Sequence, residues 1–155
     1  MNETEKRGEV KPLEIGHVVL RVRDLERSSS FYTDVLGFRK VAEYGGQMAF
    51  FTATGANHHD LGLMQVGPQA PQPHPAGVGL YHIAIRLENE AAVKSAFRRL
   101  VETGADITGS SDHGVSRSLY LRDPDGIEIE LYSDVPGWEE LGEESVATIK
   151  PWDPR

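Results

Sequence analysis

The chain has 155 residues, sixteen Lys and Arg against twenty-four Asp and Glu for a formal charge of -8, and no cysteine. That length holds one domain or two small units sharing a core, and the missing thiols exclude disulfides, thiolate metal sites and cysteine nucleophiles, so any metal must be held by His and carboxylate. The acidic balance, with no stripe of Lys and Arg, argues against nucleic acid as a partner, and no apolar run is long enough to span a membrane, so a cytoplasmic protein is expected.

In chain order, residues 1–12 read as a mobile tail. IGHVVLRV follows as a strand, then RDLERSSSFYTDVLGF as a helix, with Asp24 to cap it and Gly37 to end it. Three strand-like runs come next, FRKVAEY, QMAFFTA and HDLGLMQV, with Gly45-Gly46 as a turn between the first two. Residues 67–78 form a Pro/Gly-rich linker in which His74 is expected to be solvent exposed. The same order then returns as LYHIAIRL, the helical ENEAAVKSAFRRLVETG, and three strands, ADITGSS, RSLYLRD and GIEIELY. The turn before the last strand is Asp123-Pro124-Asp125-Gly126. Residues 134–155 form an acidic tail, either a free end or a segment that clasps a neighbouring subunit or covers the site.

HVVLRV from His17 and HIAIRL from His82 match position by position at an offset of 65 residues. Together with the repeated element order this predicts a duplicated β-α-β-β-β unit, with modules over 13–66 and 79–133. The expected fold is α+β, two tandem modules forming a curved mixed sheet around a cup, with flanking helices. Strand alternation assigns Val18, Leu20 and Val22 to one face and His17, Val19 and Arg21 to the other. It likewise sets Ile83, Ile85 and Leu87 against His82, Ala84 and Arg86, and Ile127, Ile129 and Leu131 against Glu128, Glu130 and Tyr132. The aliphatic faces should meet helices, which leaves a more polar face carrying two histidines and glutamates.

A single strand-end histidine is ordinarily a hydrogen-bonded polar residue. Two at equivalent positions of a repeat, with a carboxylate on a late strand, can converge on one side of a metal and leave positions open, an arrangement typical of non-haem Fe(II) sites.

These residues resemble the vicinal oxygen chelate superfamily, which includes glyoxalase, bleomycin-resistance proteins and extradiol dioxygenases. The likeness covers roughly residues 13 to 133 and rests on His17, His82 and DPDGIEIELY; the string DHGVSRSLYLRDPDG is most similar to one-domain catechol 2,3-dioxygenase-like proteins. The resemblance implies His17, His82 and Glu130 as metal ligands, with Glu128 the weaker candidate. It implies Fe(II) as the metal, with Mn(II), Zn(II), Ni(II) or Co(II) as substitutes, and a homodimer acting on an aromatic, catechol-like substrate with O2; the alternatives it leaves are another metalloenzyme on the same cup, a thiol transferase, lyase or isomerase, or a small-molecule-binding or resistance protein. It further implies His59 as acid/base group, by the likeness of HDLGL to a dioxygenase strand, although simple alternation would turn His58 to the cup instead. Tyr120, ten residues before Glu130, and His113 match a tyrosine and a second histidine near the substrate. Arg21 and Arg86 line the cup or hold it structurally, and with His58 are candidates to touch substrate. At the position where glyoxalase I and methylmalonyl-CoA epimerase need a further Glu or Gln ligand, this chain offers Gly62 or Met64, which counts against both activities.

Overall fold

A computed structural model describes residues 10–155; most of the tail expected over 1–12 lies outside them. The first module comprises β1 (Val18–Val22), α1 (Leu25–Ser30), β2 (Arg39–Tyr44), β3 (Met48–Thr52) and β4 (Leu61–Gln65). The second comprises β5 (His82–Arg86), α2 (Glu90–Glu102), β6 (Ile107–Asp112), β7 (Ser116–Arg122) and β8 (Glu128–Asp134), so the last strand runs one residue past the expected boundary. Asp24 caps α1 by accepting from the Arg27 amide, and Asn89 caps α2 by accepting from the Ala92 amide. The first helix does not stop at Ser30. It widens into a π-helical turn over Phe31–Val35, which carries the buried Tyr32, and the chain then reverses at Gly37 with φ 79°.

Each module folds into a four-stranded sheet, in the order β1-β4-β3-β2 and β5-β8-β7-β6. The first and last strands of each module pair in parallel and the others antiparallel. Even the irregularities repeat: the outer pair of each sheet shifts register once, between Lys40 and Ala42 in one and between Ile107 and Gly109 in the other. The alternation predicted for β1, β5 and β8 holds in part: Ile83 and Ile85 on β5 are only partly buried, and Glu130, on the polar face of β8, is buried as well. Leu20 and Val22 on β1, Leu61 and Leu63 on β4, Leu119 and Leu121 on β7, and Ile129 and Leu131 on β8 are all buried. They join Leu25, Tyr32, Val93 and Leu100 from the helical segments in one hydrophobic cluster common to both modules.

The expected α+β architecture of two tandem modules is formed, each module contributing its own four-stranded mixed sheet. Among the described residues no pairing joins the two sheets, and β1 and β5 are both edge strands. The modules instead meet where α1 faces the turn before β8. Asp125 accepts from the Arg23 amide at 3.0 Å and the Arg27 guanidinium at 2.8 Å, while Asp123 accepts from the Tyr32 hydroxyl at 3.0 Å. Buried carboxylates that are hydrogen-bonded from the opposite module fix this docking and leave the strand edges free.

The linker, residues 67–78, carries no helix or strand, and His74 is exposed. The C-terminal segment is not a free end. After two short helical turns it lies along β6, where Lys150 and Asp112 exchange both backbone hydrogen bonds, and Trp152 packs against the core. No described helix is long and apolar enough to cross a membrane.

Candidate functional site

The first module gathers His17, His58 and His59 at the entrance to its parallel strand pair. Asp60 organises the corner: its backbone accepts from the Val18 amide and donates to the Phe51 carbonyl, while its carboxylate accepts from the Thr52 hydroxyl and the Ala53 amide. The loop before β4 is thereby closed, and His59 lands with its ring centroid 4.2 Å from that of His17 and 5.2 Å from that of Phe50. His58 is more exposed and farther from His17, at 6.3 Å. The Nδ1 atoms of His58 and His59 lie 2.6 Å apart, so one of them must carry the shared proton. Partial loss of solvent, then the neighbouring His17 and His58, hold the His59 imidazole below its usual pKa. Because β4 begins only at Leu61, strand alternation does not govern which way His58 and His59 point.

The second module assembles a polar line. His82 Nε2 stands 3.0 Å from Glu130 Oε2; Tyr120 donates to Glu130 Oε1 at 3.1 Å and lies 2.7 Å from His113 Nε2. Register explains the line, since Glu130 is the Cα partner of Tyr120 on one side and of Ala84 on the other. Glu130 is buried, and the small Ala84 beside it leaves room for the His82 ring to reach across. Burial, followed by the charge of Glu130, pushes the Tyr120 phenol up to about 12. Glu128 is 3.7 Å from His82 Nδ1, too long for a hydrogen bond, and that buried nitrogen has no partner. Arg86 is mostly exposed and pairs with Asp134 at 3.2 Å, and Arg21 is exposed on the same face of β1 as Val19.

Superposing the two registers shows what duplication did to the chemistry. Val19 pairs with Gly62 and Gly62 with Phe50, whereas Ala84 pairs with Glu130 and Glu130 with Tyr120. One module thus carries Val19, Gly62 and Phe50 where the other carries Ala84, Glu130 and Tyr120. A Cβ at Gly62 would meet Val19 Cγ2 at 3.1 Å, so the first module offers an apolar surface at the place where the second offers a carboxylate.

The chemistry of the donors suits a divalent first-row metal in part. Two ligand atoms each about 2.1 Å from a cation and at right angles to one another lie about 3.0 Å apart, which is the His82 to Glu130 separation. The third predicted ligand is not with them: no hydrogen bond, ion pair or ring contact links His17 to His82 or Glu130. Among the described residues no group of three or more His, Asp or Glu is placed to hold a metal.

The model of the Glyoxalase/Bleomycin resistance protein/Dioxygenase superfamily matches residues 14–131. The chain belongs to this superfamily. Members of the superfamily that it resembles include a catechol-2,3-dioxygenase of Bacillus subtilis, 42% identical over 79% of this chain and 42% of that protein. A biphenyl-2,3-diol 1,2-dioxygenase of Rhodococcus globerulus is 36% identical over 77% of this chain and 63% of its own length. The chain therefore spans less than two thirds of either dioxygenase. A lactoylglutathione lyase of Escherichia coli O157:H7 is 29% identical over 81% of this chain and 96% of that enzyme, so superfamily relatives of more than one activity match. In fold, a glyoxalase/dioxygenase from Nostoc punctiforme superposes with a TM-score of 0.68 at 23% identity, covering 83% of this chain and 97% of that one.

Sequence reading alone does not reveal Asp60 as the organiser of the histidine corner, nor the contact of Thr148 with His113 described below. Asp60 follows the two histidines directly, so a polar residue at a strand entrance was the available signal. Thr148 acts through its backbone, which leaves no trace in residue type.

Proposed function

We propose that the chain is a metal-dependent extradiol-type dioxygenase that opens a catechol-like ring with O2, with Fe(II) as its metal. The observation that carries this reading is the pairing of His82 and Glu130 at metal-ligand spacing, with Tyr120 and His113 hydrogen-bonded in line behind them. The 42% identity to a catechol-2,3-dioxygenase supports it.

His17, His82 and Glu130 would hold the metal, which when bound lowers the cost of deprotonating a substrate hydroxyl. Mn(II), Zn(II), Ni(II) or Co(II) would compete according to availability. His59, kept neutral by its lowered pKa, would accept a hydroxyl proton. Tyr120, whose phenol stays protonated at neutral pH, would donate a hydrogen bond to a substrate oxygen. Val19 and Phe50 would pack against the ring, and Arg21 and Arg86, with His58, would meet polar or anionic substituents at the rim.

His17 reaches its partners in this reading through a second copy of the chain. β1, which starts directly after His17, and β5, which starts at His82, are both edge strands with one side of their backbone unpaired, which invites another edge. A two-fold arrangement would set the first module of each copy beside the second module of the other and complete two sites.

Mixing the His17→Ala and Glu130→Ala chains tests the arrangement and the ligands together. Each variant alone should retain no metal, whereas hybrid dimers should regain one of their two sites, measured as Fe(II) or Zn(II) per chain. No recovery in demonstrated hybrids would overturn the shared site. Oxygen uptake by the iron-loaded protein with a panel of catechols tests the reaction. Its absence, with product formed from a glutathione hemithioacetal under anaerobic conditions, would favour the isomerase chemistry to which the lyase relationship points.

A further inference from the structure

We infer that the C-terminal segment over 148–150, outside the superfamily match, is a positioning element that sets the tautomer of His113 and through it the direction of the Tyr120 hydroxyl. The inference rests on the proposed use of Tyr120 and Glu130, but it concerns a contact the chain makes with or without substrate.

His113 sits at the turn between β6 and β7, with its Nδ1 2.9 Å from the Thr148 carbonyl and its Nε2 2.7 Å from the Tyr120 hydroxyl. A carbonyl can only accept, so Nδ1 must be the protonated nitrogen and the Nε2 of a neutral ring is an acceptor facing Tyr120. The Tyr120 hydroxyl then has one hydrogen and two acceptors, His113 Nε2 and Glu130 Oε1 at 3.1 Å. The other tautomer would remove the contest: Nε2 would donate to the Tyr120 oxygen and leave its hydrogen to Glu130 alone. Were Glu130 to hold a cation, its oxygens would be the weaker acceptor and His113 Nε2 the stronger partner for the hydroxyl. The carbonyl of a residue far from the site in sequence thus decides whether Tyr120 is a fixed donor to Glu130 or one free to turn.

The segment is built to stay in place. Lys150 and Asp112 exchange hydrogen bonds at 2.9 and 2.8 Å, and the Ser110 hydroxyl donates to the Trp152 carbonyl, whose side chain packs on the core. Gly114 makes the turn beside the segment. Its φ of 76° is one that L side chains rarely adopt, and the Ser145 carbonyl and Thr148 would lie in van der Waals contact, each at 3.4 Å, with a Cβ placed there.

Nitrogen-15 spectra of histidine-labelled full-length protein in alkaline buffer, loaded with diamagnetic Zn(II), test this directly; the His113 signals are those that disappear in His113→Gln. The expected result is a protonated Nδ1 and a bare Nε2, and the opposite assignment would overturn the inference without any variant. Lys150→Pro removes the amide that donates to Asp112 and should release the segment. In that variant, with its near-ultraviolet circular dichroism intact, His113 should become a mixture of tautomers; an unchanged spectrum would show that Thr148 sets nothing. If Lys150→Pro proves unfolded, the wild-type assignment still decides. Should the protein turn over catechols, kcat in Lys150→Pro is expected to fall about tenfold or more with KM nearly unchanged. A protein inactive on catechols but with Nδ1 protonated would sink the proposed reaction and leave the positioning intact.

Discussion

Tyr32 and Asp123 show how a single polar contact holds two modules together. Both are buried, and Asp123 accepts from the Asp125 and Ile127 amides on one oxygen and from Tyr32 on the other. Tyr32→Phe leaves that second oxygen buried without a donor, so it is expected to lower unfolding stability in urea by about 1–3 kcal/mol. Tyr44→Phe, at an exposed site, should change nothing measurable. Burial outweighs the three hydrogen bonds and raises the Asp123 pKa. The folded state therefore binds this proton more readily than the unfolded one. Its contribution is fully present below the unfolded value of about 3.9 and is lost as pH rises through the raised folded value. Stability of the wild type relative to Asp123→Asn should accordingly fall across that window on raising the pH, by up to about 1.4 kcal/mol per unit. A difference that grows with pH would show the carboxylate to be stabilised by ionisation.

The elements were legible wherever one physical rule acted alone. Alternation sorted β1 because it buries one face, and it placed Ile129 and Leu131 of β8 in the core; Val22 and Ile129 have no exposure at all. The caps were legible in part. Asp24 was readable from its place before an apolar period, whereas Asn89 sits within a polar run that hides the start of α2. Asn89→Ala should cost about 1 kcal/mol in thermal or urea unfolding, because the Ala92 amide loses its acceptor at the head of a thirteen-residue helix. The π-helical turn was not legible, and the buried Tyr32 it carries donates to a carboxylate 91 residues away, a contact no local pattern announces. Nor was the orientation of His58 and His59, because they lie before the strand and answer to Asp60 instead. The candidate residues of the second module come together because register alone aligns Tyr120 with Glu130. His17 does not join them, since no local rule sets how two modules dock.

At the scale of the whole molecule the chain resolves a competition between two ways of pairing its halves. Contacts of the first helical segment with the turn carrying Asp123 and Asp125 fix one arrangement inside the chain, and that arrangement leaves the outer edges of β1 and β5 without a strand partner among the described residues. Edges of this kind are a hazard unless covered, and exposed Val19 on β1 and Tyr81 just before β5 add apolar surface beside them. If a second copy covers these edges and completes the site, metal binding and self-association are one equilibrium seen from two sides. A ligand that binds only the dimer must favour the dimer, and at a hundred times its dissociation constant each site contributes about 2.7 kcal/mol. Zn(II) is therefore expected to raise the dimer fraction in sedimentation equilibrium, and dilution of the loaded protein should release metal. Neither effect should survive His17→Ala. Were all three ligands brought together within one chain, occupancy would depend on free metal alone, and the same dilution series at constant free Zn(II) would be flat.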